Sequence, residues 1–327
     1  MTAHVRAAAL ALAIGVGMNL GFVGAAAAQG VWPDRPVRML ISFPPGGSSD
    51  AIGRIVQPGL ERRLGQPVVI ENRAGAGGML AIAAIAKSAP DGYTIGLGGA
   101  GALAGNVALG EKMAYDPRKD LAPITALAGS PFIMAAAPSL AANSLRDAIA
   151  LSKRERLAVG HGGNGTLMHL TAEMFNQMAG TKLPLIPYKG IAPVVTDLIG
   201  GHVALGIVDP PSAVSAIDGG KIKALAISST KRFPWRSDIP TFAEQGLAGF
   251  DSYGWFGIVA PAGTPAAVVD RLNAAVVAEL KEPAVIERIR ALGSEPMPQA
   301  PAEFSAYIQR EIDKWTKVVK ASGGLSK

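Results

Sequence analysis

From Trp32 onward short apolar runs alternate with helical patterns, and this alternation confines the chain to βαβ architecture built on mainly parallel sheets. Strands are expected near 37–42, 68–71 and 93–97, with helices near 51–64 and 79–87. A second α/β set follows, with strands near 132–137, 157–160, 183–187, 203–208 and 222–228 and helices near 145–152, 167–178 and 194–199. In the first helix Ile52, Ile55, Val56, Leu60 and Leu64 recur at helical spacing and mark a core face, while Pro58 predicts a kink or a break. The chain ends in three helical stretches opened by Pro265, Pro283 and Pro301, a favoured first helical residue. In the last of them Phe304, Ile308, Ile312, Trp315 and Val319 form one apolar stripe, read as core packing.

The joints between strands and helices carry the chemistry. Phe43-Pro44-Pro45-Gly46-Gly47-Ser48-Ser49-Asp50 links the first strand to the first helix with bare backbone. Two glycines permit positive φ and close approach of a ligand, and Ser48, Ser49 and Asp50 are helix-capping types. The free N–H groups of such a helix start, at the positive end of its dipole, attract an anion such as a carboxylate. An ordinary, well-capped βα turn would look the same, but the pattern recurs. Gly75-Ala76-Gly77-Gly78 opens the second helix, and His161-Gly162-Gly163-Asn164-Gly165-Thr166 opens the helix near 167–178. Ligands of α/β sheets bind at the carboxyl ends of strands, where these turns lie, so turns from both α/β sets imply a cleft between them.

Composition bounds the remaining function classes. With 327 residues, 49% of them hydrophobic, the chain can build two α/β units. Residues 1–28 read as a secretory signal, with Arg6, an apolar run and Ala26-Ala27-Ala28 before Gln29. Asn19 and four glycines interrupt that run, which argues against a retained membrane anchor. The absence of cysteine excludes disulfides, thiolate metal sites, a cysteine nucleophile and the lipid-bearing cysteine of a lipoprotein. Losing Arg6 takes the formal net charge from +6 to +5, and the basic residues are scattered among acids, so no nucleic-acid partner is expected. No cofactor and no metal are expected either: neither His169 nor His202 has a ligand at metal spacing. Gly96-Leu97-Gly98-Gly99-Ala100-Gly101 spells a dinucleotide fingerprint, but outside the first βα unit and before a weak helix; a wall of the same cleft fits it better. A hydrolase reading needs Ser48 or Ser49 as nucleophile with His161 within hydrogen-bond reach.

A set of ordered motifs covers the whole chain after residue 28. Phe43-Pro-Pro-Gly-Gly-Ser-Ser-Asp50, Gly65-Gln-Pro-Val-Val-Ile-Glu-Asn-Arg73 with Gly75-Ala-Gly-Gly78, Ala89-Pro-Asp-Gly-Tyr-Thr94, Tyr115-Asp-Pro117, Gly163-Asn-Gly-Thr166, Pro187-Tyr-Lys-Gly190, Pro211-Ser-Ala213, Asp238-Ile-Pro-Thr241 and Trp255-Phe-Gly257 with Ala260-Pro-Ala-Gly-Thr-Pro265 follow one another. This series resembles the substrate-binding proteins of tripartite tricarboxylate transporters, the Bug family. The resemblance implies a periplasmic binding protein of type II fold: two α/β lobes with mainly parallel sheets and a ligand cleft between them. It implies a discontinuous first lobe, 32–129 plus 255–327, and a second lobe, 130–254. It further implies a small organic carboxylate ligand (a C4 dicarboxylate, a tricarboxylate or an aromatic carboxylate) and membrane permease subunits as partner, or a signalling sensor in their place.

By the same resemblance the ligand is held by the loops at Gly46, Gly47, Ser48, Ser49 and Asp50 and at Gly75, Ala76, Gly77 and Gly78, and by Gly163, Asn164, Thr166, Tyr188 and Asp209; Phe43, which opens the first turn, and His161, in the third, are expected beside them. Asp50 reads better as a residue that holds its loop, because carboxylates repel. Asp209 is expected both to meet ligand and to cap the helix after it, and Tyr188 either to wall the cleft or to pack. His161, where relatives commonly carry serine, is open between a donor to ligand, a ring to stack on and a surface-loop histidine. Leu167, Met168, Met79 and Leu80 are more apolar than is common at their positions, which adds weight to an aromatic or less polar carboxylate.

Overall fold

The computed structural model describes residues 32–321, and the signal segment at 1–28 lies outside them. Two sheets organise the chain, both within one compact unit that runs from Arg35 onward. The first begins with β1 (Val37–Ile41), α1 (Ser48–Leu64), β2 (Val68–Asn72), α2 (Met79–Ala86) and β3 (Thr94–Gly99). After a short α3 (Asn106–Ala108) come the long β4 (Leu121–Pro131) and then β5 (Ile133–Ala136), which starts the second sheet. That sheet continues through α4 (Leu145–Leu151), β6 (Val159–His161), α5 (Leu167–Ala179), β7 (Leu185–Pro187), α6 (Ile191–Gly200), β8 (Leu205–Val208), α7 (Pro210–Asp218) and β9 (Lys223–Ile227). The chain then returns to the first sheet with β10 (Tyr253–Pro261), α8 (Ala266–Leu280), α9 (Pro283–Ala291), the two-residue β11 (Glu295–Pro296) and α10 (Pro301–Ala321).

The strand orders are β11-β4-β10-β3-β1-β2 and β7-β6-β8-β5-β9. Most strands of each sheet point one way, because β1, β2 and β3 pair in parallel, as do β6, β7 and β8. Each sheet also takes in one inserted antiparallel strand, β10 between β3 and β4, and β5 between β8 and β9.

Pro58 does not break α1, which runs unbroken from Ser48 to Leu64. The proline lies on the exposed face, where water can take the carbonyl left without its donor. Opposite, Ile52, Val56 and Leu60 are fully buried, as the spacing predicts. Phe304, Ile308, Ile312 and Trp315 of α10 are likewise buried, and Gly257 of β10 gives the Phe304 ring room to lie on the strand. One apolar core takes in Leu40 and Ile82 from the first sheet's layers and Leu170 and Phe175 from the second's. The carboxyl ends of β1, β3, β6, β7 and β8 all lead into loops that meet at one place.

Candidate functional site

That place is a cavity of about 350 Å³. The turn Phe43 to Ser49 lines one side, with Gly99, Ala100 and Gly101 from the end of β3. Gly162, Thr166, Leu167, Met168, the stretch Lys189 to Pro193, Asp209 and Ser212 line the other, and Ser130, Phe132 and Gly254 to Phe256 lie where the chain passes between sheets.

The first turn is built as follows. Gly46 sits at φ +79°, which favours glycine, whereas Gly47 has an ordinary φ of −82°. So one glycine of the pair, not both, answers the expectation of positive φ. Gly47 is the N-cap of α1 and has no side-chain cap, which leaves the helix's first N–H groups toward the cavity. Asp50, in the first turn, reaches back instead to the Gly46 N–H at 3.0 Å and accepts from Arg54 Nε at 2.9 Å and Asn72 Nδ2 at 3.0 Å. Burial opposes its charge, but these donors outweigh it and hold the carboxyl below its ordinary value. Asp50 is a buried brace behind the loop, absent from the cavity lining.

Across the cavity three more helices begin. Thr166 caps α5, accepting from the His169 N–H at 3.3 Å and donating to the Gly163 carbonyl at 2.7 Å. Asp209 caps α7 through the Ser212 N–H at 3.3 Å. Its other oxygen accepts the hydroxyl of Ser48, and Ser212 Oγ lies 3.1 Å from the same hydroxyl, so α1 and α7 are linked across the cleft. Burial raises the Asp209 carboxyl against the pull of these donors. The start of α6 is capped by Gly190 at φ +102° with no side-chain cap, so it too offers bare N–H groups. This joint was not among the three expected turns, although Pro187-Tyr188-Lys189-Gly190 repeats their strand, glycine, helix grammar.

The cavity lining takes in Phe43, Gly46, Gly47, Ser48, Ser49, Thr166 and Asp209 among the expected site residues, and leaves out Gly75, Ala76, Gly77, Gly78, His161, Gly163, Asn164 and Tyr188. The turn from Gly75 to Gly78 presses on the opposite loop: a β-carbon on Gly77 would lie 2.9 Å from the Asn164 carbonyl oxygen. Gly101 makes a similar approach, its would-be β-carbon 2.6 Å from the Gly165 carbonyl oxygen. Tyr188 donates to Asp197 at 2.7 Å, which fixes its ring on α6. His161 is wholly buried, not a surface-loop residue, and stacks on His169 with ring centroids 4.8 Å apart. Desolvation, helped by His169, pushes its pKa down to about 4, and the neutral ring faces the Gly163 carbonyl at 3.2 Å. Leu167 and Met168, expected to bear on the ligand's polarity, do line the cavity, whereas Ser130, Phe132 and Trp255 were not expected as lining residues, because nothing in their residue types marks a ligand contact. Among the described residues no cluster of His, Cys, Asp and Glu is arranged to hold a metal ion.

Comparison with known proteins places this geometry. The profile of the "Tripartite tricarboxylate transporter family receptor" matches residues 52–324. Protein BugT of Bordetella pertussis (strain Tohama I) is 37% identical over 317 residues, 96% of this chain and 97% of that protein. Among solved structures, R. palustris Rpa4515 with adipate superposes with a TM-score of 0.85 at 35% identity, covering 89% of this chain and 98% of that one. MatC from Rhodopseudomonas palustris with bound malate gives 0.83 at 34% identity, covering 88% and 100%. With the profile spanning most of its length and the similarity running end to end, this chain belongs to the receptor family of tripartite tricarboxylate transporters, the periplasmic solute-binding proteins of Bug type.

Proposed function

We propose that this protein captures a small organic carboxylate between its two sheets and delivers it to the permease subunits of a tripartite tricarboxylate transporter. One observation carries the reading: the N-termini of α1, α5, α6 and α7 converge on a single cavity, two of them without a side-chain cap. Each such terminus favours an anion by about 0.3–2 kcal/mol beyond its hydrogen bonds, and micromolar binding needs about 8 kcal/mol, so a few converging termini with their N–H donors suffice. The adipate and malate bound by two relatives support a carboxylate as the anion.

The ligand-contacting set then comprises the cavity residues of the sequence expectation, with the Gly75 to Gly78 and Gly163 to Asn164 turns acting as the seam that closes over it. The separation into two sheets supports a division into a lobe of 32–129 plus 255–327 and a lobe of 130–254, with β4 and β10 running up to two residues past those bounds. Export through residues 1–28, without a lipid anchor since there is no cysteine, would bring the protein to the periplasm of its relatives. A non-enzymatic role is supported by the partners of Ser48, which are Asp209 and Ser212 and not a histidine.

A thermal-shift screen of the purified protein against malate, adipate, citrate and aromatic acids tests the proposal. A ligand at 100 times its dissociation constant adds about 2.7 kcal/mol, and a chain of this size gains about 2–4 °C per kcal/mol, so a plain rise in melting temperature is expected with at least one acid. No rise with any of them would overturn it.

A further inference from the structure

Two histidines lie beneath the turn from Gly163 to Thr166 and do not line the cavity. His161 ends β6 and is wholly buried, and His169, in the first turn of α5, stacks on it with the ring planes 18° apart. Both rings hold the turn by its backbone. His161 Nδ1 lies 3.2 Å from the Gly163 carbonyl oxygen and 3.4 Å from the Gly163 nitrogen, while His169 Nδ1 accepts the Gly165 N–H at 3.4 Å. His161 Nε2 is buried with no hydrogen-bond partner.

This arrangement suits neutral rings only. A charged imidazole carries a hydrogen on each nitrogen. On His161 that places an N–H at Nε2, where nothing accepts it, and on His169 it sets one at Nδ1 against the Gly165 N–H. Two charged rings in a stack would also repel each other. Two carboxylates face the pair, Glu173 with Oε1 3.8 Å from His169 Nε2, and Glu111 from beyond α3; both act on His169, and His161 feels the charge of His169. Burial outweighs these carboxylates and keeps the pKa of His169, like that of His161, below its ordinary value.

The same turn joins the cavity to the opposite side of the cleft. Thr166, which donates to the Gly163 carbonyl, lines the cavity with Gly162, Leu167 and Met168. The Asn164 and Gly165 carbonyls press on Gly77 and Gly101, and Leu170 of α5 meets Gly105, so a loosened turn gives up both the lining and the seam.

Resting on the receptor reading above, we infer that the stacked pair His161 and His169 is a proton-operated release: protonation loosens the turn from Gly163 to Thr166, parts it from Gly77 and Gly101, and lets the bound acid leave as pH falls. The loosened turn wets the rings, so proton and ligand compete for the two arrangements of one loop.

Isothermal titration at pH 7 and pH 5 with malate, adipate, citrate and benzoate as probes tests the inference in the wild type, His161→Gln and His169→Gln. The probes' own carboxyl groups titrate in this range, and the variants supply the baseline for that. The ratio of affinity at pH 7 to affinity at pH 5 is expected to be about tenfold larger in the wild type than in His161→Gln, with His169→Gln between them. Equal ratios in the three proteins would overturn the inference and leave the receptor reading intact. Where His161→Gln does not fold, His169→Gln decides, and a ratio in it equal to that of the wild type would overturn the inference. Binding of none of the four acids at pH 7 would overturn the inference and the receptor reading together.

Discussion

At the scale of residues the first turn depends on two groups that do different work. Gly46 alone supplies the left-handed conformation, so Gly46→Val should strain the turn by about 1–2 kcal/mol or more and abolish the ligand-induced thermal shift. Gly47→Ala, at an ordinary φ and with its nearest neighbour at 3.4 Å, should keep both fold and binding. Asp50→Asn should cost about 1–3 kcal/mol at pH 7, because three donors lose a charged acceptor. Since folding lowers the Asp50 pKa, its contribution is present above the unfolded value of 3.8 and is lost as pH falls further, so the variant should lose less stability than the wild type on acidification in that range. His161 acts at milder pH. Its folded pKa of about 4 against 6.5 unfolded means that the unfolded chain binds the extra proton, so stability falls as pH drops from 6.5 toward 4, by up to about 3 kcal/mol. Melting temperatures at pH 5 and pH 7 should differ less in His161→Gln than in the wild type. Much of the cavity's lining was legible from residue types, since glycine and hydroxyl residues at strand ends announce bare backbone. The burial of His161 was not, because a histidine amid glycines looks exposed in sequence and only the stacking of α5 on β6 hides it.

At the scale of elements the sequence spoke clearly where periodicity was unbroken, as in α10 and in the alternation from β1 to α2. It was silent on β4 and β10, the two long antiparallel partners that hold the first sheet together. Neither alternates, because β4 is buried along most of its length, and each carries glycine and proline that read as turns. Pro58 misled in the opposite direction, since the burial of Ile52, Val56 and Leu60 on the opposite face holds α1 together against its cost of about 3 kcal/mol. The real constraint in α1 is its neighbour Gly59, which faces α8: a β-carbon there would fall 1.7 Å from the carboxyl carbon of the buried Glu279. Arg62 and Arg63 hold that carboxylate at 3.4 and 3.3 Å, so it has little freedom to retreat. Gly59→Ala is expected to destabilise by about 1–3 kcal/mol, read as a lower melting temperature without any change in ligand preference.

At the scale of the whole molecule the two sheets are joined where β4 runs into β5 and where the chain returns at β10. Ser228 ties both crossings, accepting from the Phe132 N–H at 2.7 Å and donating to the Ser252 carbonyl. On the receptor function proposed above, these short crossings would serve as a hinge, and the contacts of Ser48 with Asp209 and Ser212 would be made on closure. Small-angle scattering should therefore show a smaller radius of gyration with a bound acid than without, and an unchanged radius would argue against closure on ligand. Trp255 offers a second gauge, because it lines the cavity and its indole N–H reaches Glu311 at 3.4 Å, so its fluorescence should change as ligand enters.

The glycine seam gives this motion a mechanical stop. Gly101 needs no left-handed backbone, yet one methyl there would strike the Gly165 carbonyl and the Thr166 backbone, at 2.6 and 3.0 Å. Gly101→Ala would act as a doorstop: a fold at ease with alanine, wedged ajar by a single carbon atom, able to admit its cargo but not to latch over it.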